Sequence, residues 1–340
     1  MFNSQQVMAA LEAAVSALRS GQPESARQML APLVGPAGHL PDVHYFLGMA
    51  LERCGDPVGA EISLRRAAGL EQGRSRSLVA LGDLFTRQKQ FREAEAEYRA
   101  AQKRDPAWQA PAAGLSDSLV AQGRLVEALA VTAPFADRAD ATETMLAARA
   151  AALKASGELE AALQLNRRAV QAFPASAVSE HNLASTLGDL ARHAEAEAAV
   201  GRAFAKGLDA PESWIVRAHA LQGLGRLDEA EAAYIEALRR RPAMAEAHSE
   251  LAQLLWMRTG DRQRALAIVD DELRRTGNPE LARVKAKALG FIGDLRGGFD
   301  VLQEALRSAP SDILLLDAAA QAAIAAGEPE VALDLARRAT

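Results

Sequence analysis

Six histidines, one cysteine and 44 acidic side chains are scattered over 340 residues, so any catalytic or metal-binding site has to lie in how a few of them are spaced. The sharpest spacing is His193-Ala194-Glu195 followed by His219 or His248. It imitates the His-x-acid…His order of the facial triad that binds Fe(II) in oxygenases. That order works on the strands of a β-barrel, whereas these residues fall at a turn between two helical stretches, so the match reads as accidental. Gly223-Leu224-Gly225 also follows a helical stretch, where a phosphate-cradling loop would follow a strand. Cys54 is the only cysteine, which rules out an intramolecular disulfide and leaves a small buried apolar residue as the plainer reading. No nucleophile is paired with a base. The sequence therefore predicts no catalytic residue, no cofactor and no metal.

Side chains suited to binding are a different matter, and the elements that must position them come from the turns. Gly21, Gly55, Gly123, Gly157, Gly225, Gly293 and Gly327 all lie at multiples of 34 residues from one another. Repeats then start near Val7, Pro41, Ser75, Gln109, Glu143, Ala177, Pro211, Ala245, Pro279 and Ile313, the last incomplete. The eighth place of each is small, from Ala14, Gly48 and Gly82 to Ala286 and Ala320, and the twentieth is mostly alanine, from Ala26 to Ala332. Small residues at both places let two helix axes cross at the short end of the roughly 8 to 10 Å range. Large apolar residues such as Leu47, Leu81 and Leu115 at the seventh place, with Leu51, Phe85 and Leu119 at the eleventh, supply the core between units. Pro106, Pro174, Pro242 and Pro310 end the second helix in every second unit, because proline cannot donate to the preceding turn. In the eighth unit Arg258-Thr259-Gly260-Asp261 moves the turn glycine by one and puts Arg264 where alanine belongs. That predicts a one-residue insertion, compensated before Pro279.

Leu81, Gly82, Ala94, Tyr98, Ala101 and Pro106 in the third unit, and Trp214, Ala218, Ala230, Tyr234, Ala237 and Pro242 in the seventh, resemble the tetratricopeptide repeat pattern over about residues 7–340. The resemblance implies an all-α chain, a right-handed superhelical solenoid of about ten helix-turn-helix repeats in a single array over 1–340, whose first helices line a concave wall. It also implies a protein-protein interaction scaffold that holds a protein or peptide segment in that groove. The wall positions include Tyr45, Met49, Arg53, Asp83, Arg87 and Asp117 in the first half, with Ser185 and Gln222 in the second. The candidate partner-binding groove is His181, His219, Gln253, Trp256, Met257, Arg283, Lys287 and Phe291, where apolar anchors stand beside positive charge. A plainer reading packs Trp256 and Phe291 between the eighth and ninth units. Arg283 and Lys287 match the basic pair of the terminal-carboxylate clamps of this family, but Ser249 and Gln253 replace the preceding asparagines. Of the asparagine ladder seen in the O-linked N-acetylglucosamine transferase superhelix, only Asn182 survives.

A net charge of −5 with acids and bases interleaved gives no footprint for nucleic acid or an anionic membrane; Arg239, Arg240 and Arg241 read as a solvated helix end. The opening MFNSQQVMAALEAAVSALRSG lacks a basic leader segment, and no stretch approaches the roughly 18 apolar residues of a membrane span. The expectation is a soluble, cytoplasmic protein. The register stops at Thr340 inside a second helix with no cap, so the sequence reads as the amino-terminal portion of a longer polypeptide, with self-association through uncapped ends as a rival. Alanine-rich bacterial arrays of this kind precede catalytic domains. HSELAQLLWMRTGD, residues 248–261, is similar to arrays joined to 2-oxoglutarate/Fe(II) oxygenases, with a sulfotransferase or glycosyltransferase as alternatives. In that case the chain would be the substrate-recognition arm of a larger enzyme.

Overall fold

The computed structural model describes residues 4–71 and 75–339; the first three residues of the segment judged not to be a leader, and Thr340 where the register stops, lie outside them. Every regular element among the described residues is a helix. The chain divides into two compact units, Met1–Pro174 and Ala175–Thr340. In the first, helices pair as α1 (Ser4–Arg19) with α2 (Pro23–Leu30), α3 (Pro41–Arg53) with α4 (Pro57–Leu70), α5 (Arg76–Arg87) with α6 (Phe91–Arg104), α7 (Gln109–Ala121) with α8 (Leu125–Ala136), and α9 (Glu143–Ala155) with α10 (Leu159–Ala172). In the second the pairs are α11 (Ala177–Asp189) with α12 (His193–Ala205), α13 (Pro211–Gly223) with α14 (Leu227–Arg240), α15 (Ala245–Thr259) with α16 (Arg262–Thr276), α17 (Pro279–Ile292) with α18 (Leu295–Ser308), and α19 (Ile313–Ala325) with α20 (Pro329–Ala339).

Within a pair, the chain reverses through one left-handed residue. Where that residue is glycine, as at Gly55 (φ +81°) or Gly225 (φ +73°), the conformation is free of Cβ strain. The same turn persists where glycine is missing: Lys89 has φ +60° and Ala191 φ +55°. At Ala191 the bonds Ala191 N–H to Gly188 C=O and Arg192 N–H to Leu187 C=O, both 2.9 Å, show why. They satisfy the last carbonyls of α11, so the helix end fixes the turn whatever the side chain.

Between pairs, two linker chemistries alternate in the second unit, which accounts for proline in every second repeat. After α14 and α18, Arg241 (φ −136°, ψ 87°) and Ala309 (φ −136°, ψ 69°) leave the helix just before Pro242 and Pro310, as the clash with a following proline ring requires. After α12 and α16 the chain instead passes through Gly207 (φ +90°) and Gly277 (φ +61°), and the next helix opens on Pro211 or Pro279. Proline there costs no hydrogen bond, because the first N–H of a helix has no partner within it.

The crossings are built on fully buried alanines: Ala26, Ala60, Ala94, Ala128 and Ala162 in the first unit, Ala196 and Ala230 in the second, each 0% exposed. The eighth pair bears out the expected insertion. Its turn glycine is Gly260 (φ +64°), Ala265 takes the buried place, and Arg264 stays at the surface, 2.9 Å from Glu231. The extra residue is absorbed by a linker of only Gly277 and Asn278 before Pro279. Cys54 corrects the reading from sequence: it is exposed, because it follows the last turn of α3 just before Gly55, with Sγ 3.5 Å from a Glu24 carboxylate oxygen. The seventh place also departs from its leucine pattern. Arg149 donates to the Leu129 carbonyl, Arg217 pairs with Glu197 at 3.5 Å, and Lys285 pairs with Asp270 at 2.7 Å.

Candidate first-helix grooves

In the first unit, the chemistry gathers where α5 and α7 run side by side. Tyr98, on the second helix α6, is 2% exposed and threads its ring between them. A Cβ on either Gly82 or Gly114 would come within 2.5 Å of that ring, so both glycines are needed for the passage. The phenol hydroxyl emerges on the first-helix side and donates to Asp83 Oδ1 at 2.6 Å, with Thr86 Oγ1 at 3.4 Å. Beside them lies a pocket of about 250 Å³ lined by Val79, Ala110, Ala113, Asp117 and Thr144. Burial raises the Asp83 carboxyl above its ordinary range even though the Tyr98 bond and Arg87 oppose it. Desolvation, then the Asp83 charge, push Asp117 up to about 6. Arg87, the nearby cation, is engaged with Glu52. Tyr45, at the wall of the preceding pair, lies under the Arg76 guanidinium at 4.4 Å.

The second unit buries a tyrosine at the same register place once. Tyr234 of α14 is fully buried and donates to Gln222 Oε1 at 2.5 Å, with the His219 ring edge-on at 6.0 Å between centroids. His219 Nε2 is 3.9 Å from Glu250, and His181 Nδ1 is 3.0 Å from the Ser213 hydroxyl. Further along, a groove of about 620 Å³ runs over α15, α17 and α19, with Ser249, Arg283, Lys287, Gly290, Leu314 and Asp317 among its walls. A smaller recess joins Gln253, Lys287 and Phe291. Of the residues singled out from sequence, Gln253, Arg283, Lys287 and Phe291 are therefore brought together. Trp256 is half-buried against the core of the seventh and eighth pairs, and Met257 stands 71% exposed outside both recesses. His181 and His219 line neither recess. Arg283 and Lys287 have no carboxylate within 4 Å among the described residues, whereas Arg258 and Arg264 both hold Glu231, at 2.7 and 2.9 Å.

The triad-like order His193, Glu195, His248 does not converge. Glu195 is held by Arg192 at 2.6 Å, and His248 Nε2 donates to the Pro242 carbonyl at 2.7 Å. Among the described residues no three histidine, cysteine or acidic side chains are grouped to hold a metal, and no helix is long and apolar enough to cross a membrane. Two features escaped sequence reasoning. Glu180 on α11 is 2% exposed, and the bonds from Arg202 (3.0 Å) and Lys206 (2.8 Å) outweigh its burial and keep its pKa low. The two buried tyrosines were visible as pattern matches, but the reach of their hydroxyls to Asp83 and Gln222 on the first helices was not.

The tetratricopeptide repeat family model matches residues 11–75 and 215–279, and a second tetratricopeptide repeat model matches 75–107. No curated protein sequence matches. A tetratricopeptide repeat protein from Parabacteroides merdae superposes with a TM-score of 0.59 at 16% identity, covering 74% of this chain and 99% of that one. Human IFIT1, as a dimer with PPP-AAAA, superposes at 0.64 with 15% identity over 96% of this chain and 80% of that one. The same human protein with m7Gppp-AAAA gives 0.63 at 14% identity, over 96% and 79%. At these identities the likeness is one of fold.

Proposed function

We propose, from the premise that this chain is a tetratricopeptide repeat protein, that it is a protein-interaction scaffold and that the first-helix face of its second unit holds a segment of a partner polypeptide. The observation that carries the reading is the pair Arg283 and Lys287, one helical turn apart on the wall of a 620 Å³ groove and, among the described residues, without a carboxylate within 4 Å. Cations that the fold does not neutralise are available to a ligand, where they favour a partner of complementary charge. Gln253 and Phe291 extend the surface with an amide and an exposed ring. His181, His219, Trp256 and Met257 belong to this proposal as flanking positions. One 34-residue register from Val7 onward supports reading residues 1–340 as one array.

Affinity capture from a lysate, with bound proteins identified by mass spectrometry, tests this with the parent chain and an Arg283→Glu/Lys287→Glu variant. Partners lost from the variant fit the reading. Partners retained by both move the site elsewhere.

The alternative, an arm that presents substrate to a catalytic domain, rests on the similarity of residues 248–261, which here form most of α15 and its turn. It calls for reading the gene beyond Thr340, and a stop codon directly after that residue would exclude it.

A further inference from the structure

Three pairs bury a titratable side chain at the fourth place of the repeat: His44, Glu180 and His248, which lie four and then two periods of 34 residues apart. Glu180 shows how a charge is carried there, since Arg202 and Lys206 of α12 bond its carboxylate at 3.0 and 2.8 Å. The histidines anchor the preceding linker instead. Each Nε2 donates to a carbonyl six residues earlier, Gly38 at 3.0 Å for His44 and Pro242 at 2.7 Å for His248. At His248, which is 3% exposed, the other ring nitrogen is stranded: Nδ1 is buried and has no hydrogen-bond partner. His44 has no such stranded nitrogen among the described residues.

We propose that His248 is an acid-sensitive latch: a proton arriving at Nδ1 unseats the first turn of α15 from the linker 241–244 and from α16. The inference goes beyond the groove reading and depends on no partner. A neutral imidazole leaves only a lone pair in the seam, whereas a protonated one puts an N–H and a positive charge where no acceptor lies. The one charge that acts on the ring is Glu272 of α16, which is held by Arg275 at 2.6 Å and makes no bond to Nδ1. Helices α14 and α17, which also pack against α15, bring no charge to bear, and Arg241 of the linker is turned to Glu212 at 2.6 Å. His248 thus lacks the counter-charges that the same place supplies to Glu180. Burial lowers its pKa below the ordinary 6.5, against the weaker pull of the Pro242 bond and of Glu272. The folded chain therefore binds this proton less tightly than the unfolded chain, so the latch holds fully above about 6.5 and weakens as pH falls below it. Ala245, Glu246 and Ser249, on the same stretch of α15, line the 620 Å³ groove, so release of the latch moves one end of that wall.

The test is hydrogen–deuterium exchange of the full chain near pH 7.5 and near pH 5, read by mass spectrometry and corrected for the intrinsic pH dependence of exchange. His248→Gln keeps an N–H for the Pro242 carbonyl and cannot take up the proton; His44→Gln makes the same change at the same register place in the first unit. The expected result is a fall in protection over residues 241–252 of about tenfold or more in the parent and in His44→Gln, and of no more than about twofold in His248→Gln. An equal fall in His248→Gln overturns the latch. So does a fall spread evenly over α17 to α20, because acid would then be acting on the whole unit. Should His248→Gln fail to fold, nitrogen NMR of the parent's imidazoles decides. The latch requires the His248 hydrogen on Nε2 near pH 7.5 and a titration below the ordinary 6.5; the other tautomer, or a titration at or above that value, overturns it.

Discussion

In the first unit Tyr98 closes the gap between α5 and α7 and delivers its hydroxyl to Asp83; in the second, Leu302 stands at the corresponding register place beside a groove of about 620 Å³ over α15, α17 and α19, whose Arg283 and Lys287 have no carboxylate within 4 Å among the described residues. The helix framework is the same, but the first-helix face differs because of what rises through it from the second helix. A tyrosine engages a carboxylate and fills the gap between the helices, so what is left of that face is a smaller, acid-lined pocket of about 250 Å³. Beside Leu302 the face is wider and carries charges of both signs, Arg283 and Lys287 with Glu246, Glu280 and Asp317. The first-helix face is therefore shaped by buried second-helix residues such as Tyr98 as well as by the first-helix residues that line it.

Removing the first filling is the harshest way to test this contrast. Tyr98→Ala deletes a ring that is 2% exposed and leaves Asp83 without its donor, and a cost of about 3 to 5 kcal/mol is expected for an aromatic-to-alanine change in a core. Urea denaturation followed by circular dichroism measures it. A loss under about 1 kcal/mol would mean that the gap collapses and that the two faces differ less than the static arrangement implies.

Glycines sharpen the comparison at smaller scale. A methyl on Gly114 would sit 2.5 Å from the Tyr98 ring, so Gly114→Ala is expected to destabilise by about 1 to 3 kcal/mol through overpacking. On Gly290 the same methyl meets open space, and Gly290→Ala is expected to stabilise by about 0.5 to 1 kcal/mol, the helix-interior difference between the two residues. Opposite signs from thermal melts of the two variants support the filled-versus-open distinction; equal signs contradict it.

How much of this was legible beforehand follows from the same residues. The period, the small crossings and the shifted turn at Gly260 were readable because each is a backbone requirement written in glycine, alanine and proline. Even so, Lys89 and Ala191 show that the left-handed turn is imposed by the helix end and can dispense with its usual residue. The expectation for Cys54 failed because a hydrophobicity argument ignored its place in the last turn, and the leucine pattern at the seventh place hid Arg149, Arg217 and Lys285, which reach carbonyls or acids on the preceding second helix. The grooves were legible only as a list of wall positions. Whether a wall residue is free or engaged depends on long side chains of neighbouring helices, such as Tyr98 of a second helix on Asp83 or Glu52 of the preceding first helix on Arg87, and no periodicity encodes those.

Ala191 gives a prediction of about 1 kcal/mol: Ala191→Gly relieves a Cβ held at φ +55° and is expected to raise stability by that order. An unchanged melting temperature would show that the turn bears no strain.

The smallest expected effect concerns Asp117, whose carboxyl is pushed up to about 6 by desolvation and by the Asp83 charge. Its folded value lies above the ordinary 3.8, so the native state binds the proton more tightly than the unfolded chain. The stabilisation this brings is fully present below the unfolded value and is lost as pH rises through about 6. Asp117 stands on the open side of the first-helix face, where water screens its charge, so the difference is expected to be no more than about 1 kcal/mol. Asp117→Asn should therefore match the parent near pH 4 and exceed it slightly at pH 8. A parent that gains stability relative to Asp117→Asn on raising the pH would show that the two acids of the first unit do not face each other across the Tyr98 crossing. The contrast between a face with two close acids and one of mixed charge would then fail at its acidic end.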